Sequence, residues 1–447
     1  MKILLILPQD NIYRYHGFAN MVVGPYDPLT LVTLAALVPK DLDAQIDLFD
    51  EGIRKPNYVK MADYDVVGIT CVVSSANRAY EIAAYWRGRG SFVVLGGAHP
   101  TLNPDEAARH ADSVVVGLAE ETWPQLLWDF KNSIPQKRYH TRYSGELSSP
   151  APRRDLFPRF GYLPVPTVIA NRGCNHHCNY CVVNQADYAR CVTRPVSEII
   201  DEIRGLKSRR IMLLDPNLAS DREYAKALFH ALIPLKLKWM APASSEIVDD
   251  PEIFDLMVSS GCDGVMIGFE SFSQASLDRI GKKFNQVNRY KEIVKTLHAR
   301  GVAVSGCFVL GFDDETPEDL ERTADIVYDI GVDFPRYAIL TPFPGTRLFD
   351  RVKKEGRLLT EDWSFYDSQH VVFQPKHLSP RHLQELFDDT IRKSFSYRHI
   401  FHRARGAPHS LLLSLMANLG LREALFSAWR QNPEPGRSLP IMDMEEA

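Results

Sequence analysis

At 447 residues, 45% of them apolar and 24% charged, the chain is long enough for two or three domains with substantial cores. Its formal charge of -4 gives no global attraction to nucleic acid, and no nucleic-acid partner is expected. The seven cysteines are an odd number, with Cys174, Cys178 and Cys181 crowded together, which excludes a disulfide framework and points to metal chemistry plus a few buried thiols.

The opening MKILLILPQD has an apolar stretch, 3–7, too short for a signal-peptide core and soon followed by Asp10. It reads as a first buried strand, with the cytoplasm as the expected location. Further short apolar strands are predicted at 44–49, 66–70, 92–95 and 113–116, with helices at about 28–38, 76–86, 104–110 and 121–130. Five strands with helical crossovers predict an α/β, doubly wound domain over 1–131, with its ligand crevice beyond the carboxyl ends of the strands. Residues 132–163, rich in Pro, Ser and charge, read as a linker. A second βα series follows over 164–350. Its strands are expected at 167–170, 211–214, 237–240, 264–269, 302–310 and 336–340, and its helices near 196–207, 223–232, 251–259, 287–299 and 317–328. Six such units fit a partial (β/α)6 TIM-type barrel. A small, mainly helical domain is expected over 351–447.

The strongest local signal is Asn171-Arg-Gly-Cys174-Asn-His-His-Cys178-Asn-Tyr-Cys181, directly after the first strand of the second series. Three thiolates at this spacing can converge on one 4Fe-4S cubane and leave one iron open to a ligand. A Cys3His zinc site using His176 or His177 is the rival, but CxxxCxxC lacks the separated pairs of most zinc modules. Cys71, Cys262 and Cys307 lie in or beside apolar strands and read as core thiols; Cys191 is a spare thiol close by.

This loop, with Tyr180 just before the last cysteine, resembles the signature of radical S-adenosylmethionine (SAM) enzymes over about 166–344. The resemblance implies that the open iron chelates the amino and carboxylate groups of S-adenosyl-L-methionine, and that one electron cleaves the sulfonium to a 5′-deoxyadenosyl radical. Other strand ends match the same pattern. Asp215 and Asn217 close the second strand, where an acceptor is wanted for the ligand's ammonium; capping the next helix or turn is the equal alternative for Asp215. Gly268, Glu270 and Ser271 resemble the family's GxES element, and Gly311 its adenine-side glycine. Thr341–Thr346 resembles the turn that closes the site. Lys282 and Lys283 read more readily as solvated lysines than as partners of the methionine carboxylate.

In the first domain, Gly96-Gly97 and Gly117 with Glu120 sit at strand ends, where absent side chains let a large ligand lie on the backbone. Together with Thr70, Ser74 and Ser75 they resemble the Rossmann-like cobalamin-binding domain that precedes many radical enzymes of this kind. The family's DxHxxG motif has no counterpart in 8–14, and His16 is wrongly spaced, so cobalamin without a histidine ligand is expected. Trp363–Asp367 and His370–Phe373 resemble the region after the barrel in relatives that act on lipids, hopanoids and tetrapyrroles. Apolar positions 412, 415, 416 and 419 share a helical face beside the basic His399, His402, Arg403 and Arg405, with two readings: packing onto the barrel, or contact with a membrane surface.

The resemblance implies a cobalamin-dependent enzyme that C-methylates an unactivated carbon of a small hydrophobic metabolite, with an electron donor such as flavodoxin or ferredoxin. Two alternatives stand beside it: a non-methylating radical cyclisation, oxidation or ring rearrangement with the same cofactors, and a cobalamin-binding sensor or carrier.

Overall fold

The computed structural model describes residues 1–10, 26–54, 56–141, 147–158, 161–184 and 191–431. His16 and residues 11–14 of the stretch expected to lack an axial histidine lie outside them.

The first sheet holds β1 (Lys2–Leu7), β2 (Gln45–Asp50), β3 (Val66–Thr70), β4 (Phe92–Gly96), β5 (Ser113–Val116) and β6 (Arg138–His140). All pairs are parallel, in the order β2-β1-β3-β4-β5-β6, so the strand order reverses between β1 and β3. The helices on its faces are α1 (Leu29–Ala36), α2 (Ala76–Gly88), α3 (Ala98–Leu102), α4 (Pro104–His110) and α5 (Thr122–Lys131). Helix α2 forms because Ala79, Ile82, Ala83 and Trp86 recur at helical spacing and bury against the sheet. Trp86 is fully buried with Tyr58, Tyr64 and Tyr85 set edge-on around it. Strand β6 corrects the linker expectation: in this polar stretch Val116 pairs with His140, and only Tyr139 carries the strand into the core.

The second sheet runs β7 (Thr167–Val168), then β10 (Arg210–Leu213), β11 (Lys238–Ala243), β12 (Cys262–Glu270), β13 (Ala303–Leu310) and β14 (Phe334–Ile339), all parallel and in chain order. A small antiparallel ribbon, β8 (Asn171–Arg172) with β9 (Val192–Thr193), flanks the cysteine loop. The covering helices are α6 (Val196–Gly205), α7 (Arg222–Leu232), α8 (Pro251–Ser259), α9 (Gln274–Arg279), α10 (Tyr290–Ala299), α11 (Pro317–Glu321), α12 (Thr323–Ile330) and α13 (Arg347–Lys354). The single helix expected over 317–328 is two, separated at Arg322. Side-chain caps start several helices: Asp221, Asp250, Ser273, Thr316 and Thr346 each accept a backbone N–H from the first turn, worth about 1 kcal/mol apiece.

Two groups of contacts, besides a Glu120–Arg172 pair, hold the two sheets together. Arg154 donates to Asp27 at 3.0 Å, to Glu202 at 2.6 Å and to the Thr167 carbonyl at 2.6 Å. Farther along the chain, Trp363 donates to Glu106 at 2.8 Å and Asn77 donates to Asp362 at 2.7 Å, while Val73, Ala76, Phe349, Trp363, Tyr366 and Val372 form one apolar cluster.

The last elements are α14 (Pro380–Ser394), α15 (Tyr397–Gly406) and α16 (Leu411–Gln431). Helix α14 packs Leu383, Phe387 and Ile391 against Leu310 and Ile339 of the barrel. Buried Arg403 joins all three helices: it donates to the Ser394 carbonyl at 2.7 Å and to Asn418 Oδ1 at 2.9 Å. Asn418 in turn donates to the Asp333 carbonyl at 3.3 Å. The packing expectation for α16 is reversed here. Its inward face is Ser414, Asn418 and Ala424, whereas Leu412, Met416 and Leu419 point outward.

Candidate active site

The cysteine loop leaves β8 through Gly173, whose φ of 83° is left-handed and suits glycine. It is tied down on three sides. Asn175 donates to the Ser220 carbonyl at 2.7 Å, beyond β10. Asn179 donates through its backbone to Ile280 and through its side chain to the Arg279 carbonyl, both at 3.0 Å. Leu348 at the start of α13 donates back to the Asn179 carbonyl at 3.1 Å. Gly281, at φ 82°, lies so close that a Cβ there would stand 3.1 Å from the His177 carbonyl.

Cys178 is buried, and Cys174 and Cys181 are half-buried. Burial pushes the Cys178 thiol up to about 12, with the Lys282 ammonium pulling the other way. Among the described residues no three His, Cys, Asp or Glu groups gather tightly enough for a single ion, and His176 faces Glu246 at 3.2 Å and stacks on Phe284. The engagement of His176 weighs against its serving as a zinc ligand, whereas a four-iron cubane takes its thiolates at separate corners. One buried and two half-buried thiols beside a largely buried ammonium are a donor set that fits such a cluster. Cys191 has its thiol pushed up to about 12 by burial, and its backbone N–H goes to Asn175 Oδ1 at 3.4 Å. Cys71 and Cys262 are core thiols as expected; Cys307 is only half-buried, its thiol pushed up to about 11 by burial and by Glu270.

Opposite the loop, Glu270 ends β12 at φ 67°, a left-handed conformation uncommon outside glycine, where the register with β13 shifts. Its carboxylate lies 2.6 Å from Lys282 Nζ, which also donates to the Gly268 carbonyl at 2.8 Å. This corrects the reading of Lys282 as a solvated lysine: its side chain is 13% exposed. Burial works against its charge, but Glu270 outweighs that and holds the ammonium above its ordinary value. A Cβ at Gly268 would overlap Glu270 Oε1 and stand 2.6 Å from Lys282 Nζ, so a side chain there would push this pair aside. Burial and the same carboxylate push the Tyr180 phenol well above its ordinary value, and Phe312 meets its ring edge-on.

Residues that pattern reading missed complete this wall. Asn285, fully buried, donates to the carbonyls of Gly268 and Phe269 at 2.8 and 3.0 Å and accepts from Ser245 at 2.6 Å. Tyr290 donates to the Phe269 carbonyl at 2.8 Å. Ser271 donates to Glu315 Oε1 at 2.5 Å, while the N–H groups of Gly311 and Phe312 donate to Glu315 Oε2 at 2.9 Å. Burial pushes Glu315 up to about 7 against these three donors.

Asp215 is fully buried and pushed up to about 7 by burial. It accepts from the backbone of Ala170 and Asn171, so it caps no helix; Asp221 does that. Asp215 Oδ2 and Asn171 Oδ1 are buried with no hydrogen-bond partner among the described residues, as a site missing a polar ligand would leave them. Asn217 accepts from the Ser244 N–H and lines a recess of about 180 Å³ with Asn175, His176, Ser220, Ser244 and Glu246.

At the first sheet, Thr70, Ser74, Ser75, Gly96, Gly97 and Gly117 gather at the carboxyl ends of β3, β4 and β5. Gly97, at φ 98°, has the Cys71 carbonyl and Thr70 Oγ1 where a Cβ would be, and Thr101 Oγ1 accepts from the Gly117 N–H at 3.0 Å. Ser75 uses its hydroxyl on its own turn, accepting from Val72 at 3.2 Å, whereas Ser74 Oγ is buried without a hydrogen-bond partner among the described residues. A crevice with bare backbone and an unused buried hydroxyl fits an amide-rimmed macrocycle such as cobalamin. Glu120 reaches across to Arg172, two residues before Cys174, at 2.9 Å; the pair is an ionic contact whose angles fall outside hydrogen-bond geometry.

Comparison with known proteins agrees with this division. Residues 168–327 match the model of the Radical SAM superfamily and residues 18–127 that of the B12 binding domain. The chain is 30% identical to the bacteriochlorophyllide d C-12(1)-methyltransferase of Chlorobaculum tepidum, over 85% of each chain. It is 29% identical to the C-8(2)-methyltransferase of the same organism, over 90% of this chain and 92% of the relative. A radical S-adenosylmethionine methyltransferase from Kitasatospora setae, solved with cobalamin and a 4Fe-4S cluster bound, superposes with a TM-score of 0.66 over 95% of this chain and 99% of that one; at 15% identity it shows the fold. The chain therefore belongs to the cobalamin-dependent radical SAM methyltransferases, enzymes whose cofactors are a 4Fe-4S cluster, S-adenosyl-L-methionine and cobalamin.

Proposed function

We propose that this enzyme adds a methyl group to an unactivated carbon of a hydrophobic tetrapyrrole, a substrate class suggested by the two bacteriochlorophyllide methyltransferases it resembles over most of its length. The observation that carries the reading is the Glu120–Arg172 contact, which joins the glycine-lined crevice directly to the cysteine loop. Methyl donor and radical source then share one boundary, as transfer to a substrate carbon requires.

When bound, the cluster supplies the electron that cleaves S-adenosyl-L-methionine, and cobalamin supplies the methyl group. Cys174, Cys178 and Cys181 hold the cluster. Glu270 and Asp215 are the carboxylates that accept the ammonium and hydroxyl donors of S-adenosyl-L-methionine, with Lys282 balancing charge beneath Glu270. Asn217 lines the recess beside the loop. Ser271, fixed by Glu315, and Gly311 shape the side where a planar ring meets backbone. Tyr180 and Phe312 exclude water. Thr70, Ser74, Gly96, Gly97 and Gly117 cradle the macrocycle; Ser75 shapes its turn and Glu120 its edge. A small redox protein of the flavodoxin or ferredoxin class delivers electrons.

The test is anaerobic turnover of reconstituted enzyme with methyl-deuterated S-adenosyl-L-methionine and candidate chlorophyllide-type tetrapyrroles. The expected product carries the labelled methyl, with S-adenosylhomocysteine and 5′-deoxyadenosine released in equal amounts. An oxidised or cyclised product with no added methyl mass overturns methyl transfer, and absence of 5′-deoxyadenosine with every substrate overturns the radical step.

A further inference from the structure

We infer that the corner formed by α15 and α16 docks on an anionic lipid surface. Tyr397, Phe401, Leu411, Leu412, Leu413, Met416 and Leu419 are between 41% and 68% exposed. They lie on two helices that pack on each other through Arg403 and Asn418, so the apolar side chains stand on a fixed scaffold. Seven large apolar side chains stand exposed on these two helices, and nothing among the described residues covers them.

Charge names the occupant. From Thr390 to Arg422 the sequence has no Asp or Glu, but carries Arg392, Lys393, Arg398, Arg403, Arg405 and Arg422, in a chain of net charge -4. Arg392 and Lys393 are paired with Asp389 and Asp325. Arg398 and Arg405 are exposed, rest over the rings of Tyr328 and Phe401, and have no carboxylate partner among the described residues. Leucine, methionine and aromatic side chains together with arginines that no carboxylate of the described residues neutralises are what a helix lying in a lipid interface presents. A second copy of this chain is the poorer occupant, because a symmetric contact here would set these arginines near their own kind. The contact lies on the surface only: no helix of the described residues is long and apolar enough to cross a membrane.

The test is co-sedimentation of the holoenzyme with vesicles of phosphatidylcholine, with and without phosphatidylglycerol. Binding is expected only with phosphatidylglycerol and is weakened by salt. Each arginine near such a surface contributes about fivefold, so Arg398→Glu with Arg405→Glu should weaken binding at least tenfold. Leu412→Asp with Met416→Asp should abolish it, and both variants should cleave S-adenosyl-L-methionine normally without vesicles. Absence of vesicle binding by the unaltered holoenzyme, or binding that neither variant changes, overturns the inference. So does a concentration-dependent dimer that the Leu412→Asp, Met416→Asp variant dissolves while vesicles stay unbound.

Discussion

The two ligand-facing ends of this protein are built on opposite plans. At the barrel, side chains hold one another: Lys282 to Glu270, Asn285 to Ser245, Ser271 to Glu315. At the first sheet, backbone and absent side chains do the work, with Gly97 folded against Cys71 and Thr70. The first plan suits a small, charged ligand whose groups must be matched one by one. The second suits a large ligand held by shape and backbone contact. Damage should differ accordingly: at the barrel through unpaired charge, at the sheet through a single added methyl group.

The largest effect should come from the cysteine loop, which the first sheet does not share. Replacing Cys174, Cys178 or Cys181 by Ala should abolish turnover and cluster incorporation, measured as iron and sulfide after anaerobic reconstitution, yet leave cobalamin binding intact. Loss of both cofactors together would mean that the ends are not separate. Next comes the buried pair. Glu270→Gln leaves the Lys282 ammonium unpaired and should cost about 3 kcal/mol in denaturant unfolding. Adding Lys282→Met should restore most of that stability without restoring S-adenosyl-L-methionine binding, read by calorimetry on cluster-loaded protein.

The glycine plan is sharpened by neighbours in sequence. Gly97→Ala would bring a Cβ to 2.7 Å from the Cys71 carbonyl at φ 98° and should cost about 2 kcal/mol and cobalamin retention, read by absorbance after gel filtration. At Gly96 the nearest atom would be Val115 Cβ at 3.7 Å, so Gly96→Ala should stay within about 0.5 kcal/mol. A pH-dependent effect concerns Glu315. Its pKa in the fold, about 7, lies above its ordinary 4.5, so the folded chain binds that proton more tightly than the unfolded chain. Its stabilising contribution is complete below pH 4.5 and is lost as pH rises through 7. Glu315→Gln should flatten that decline, at most about 3 kcal/mol for a shift of this size, in melting temperatures taken across the window.

Much of the fold was legible because the parallel strands are covered on both faces and read as short apolar runs. Strand β6 was not, because only Tyr139 of Arg138–His140 enters the core. The cysteine loop was legible because its ligands are close in sequence. Lys282 was not, because its partner lies twelve residues back across α9, and a Gly-Lys-Lys turn looks like surface until a strand end is set beside it. Asn285 and Glu315 hide for the same reason: their partners are backbone groups of other strand ends. The outward face of α16 misled because apolar periodicity marks a face without saying which way it turns; here Ser414 and Asn418 point inward, with Asn418 bonded to Arg403 and the Asp333 carbonyl.

The clamp of Asp362 and Trp363 on Asn77 and Glu106 also has a consequence in time. Its hydrogen bonds span 285 and 257 residues of sequence. A ribosome adding about 5–20 residues per second leaves the first domain unclamped for roughly 13–50 s or longer before those residues emerge. Throughout that interval the turn Val73–Ser75, later covered by Trp363 and Tyr366, stands open to solvent. A bulky cofactor can therefore enter a nascent chain more easily than a finished one, and delivery coupled to translation should outpace delivery to purified, cofactor-free enzyme.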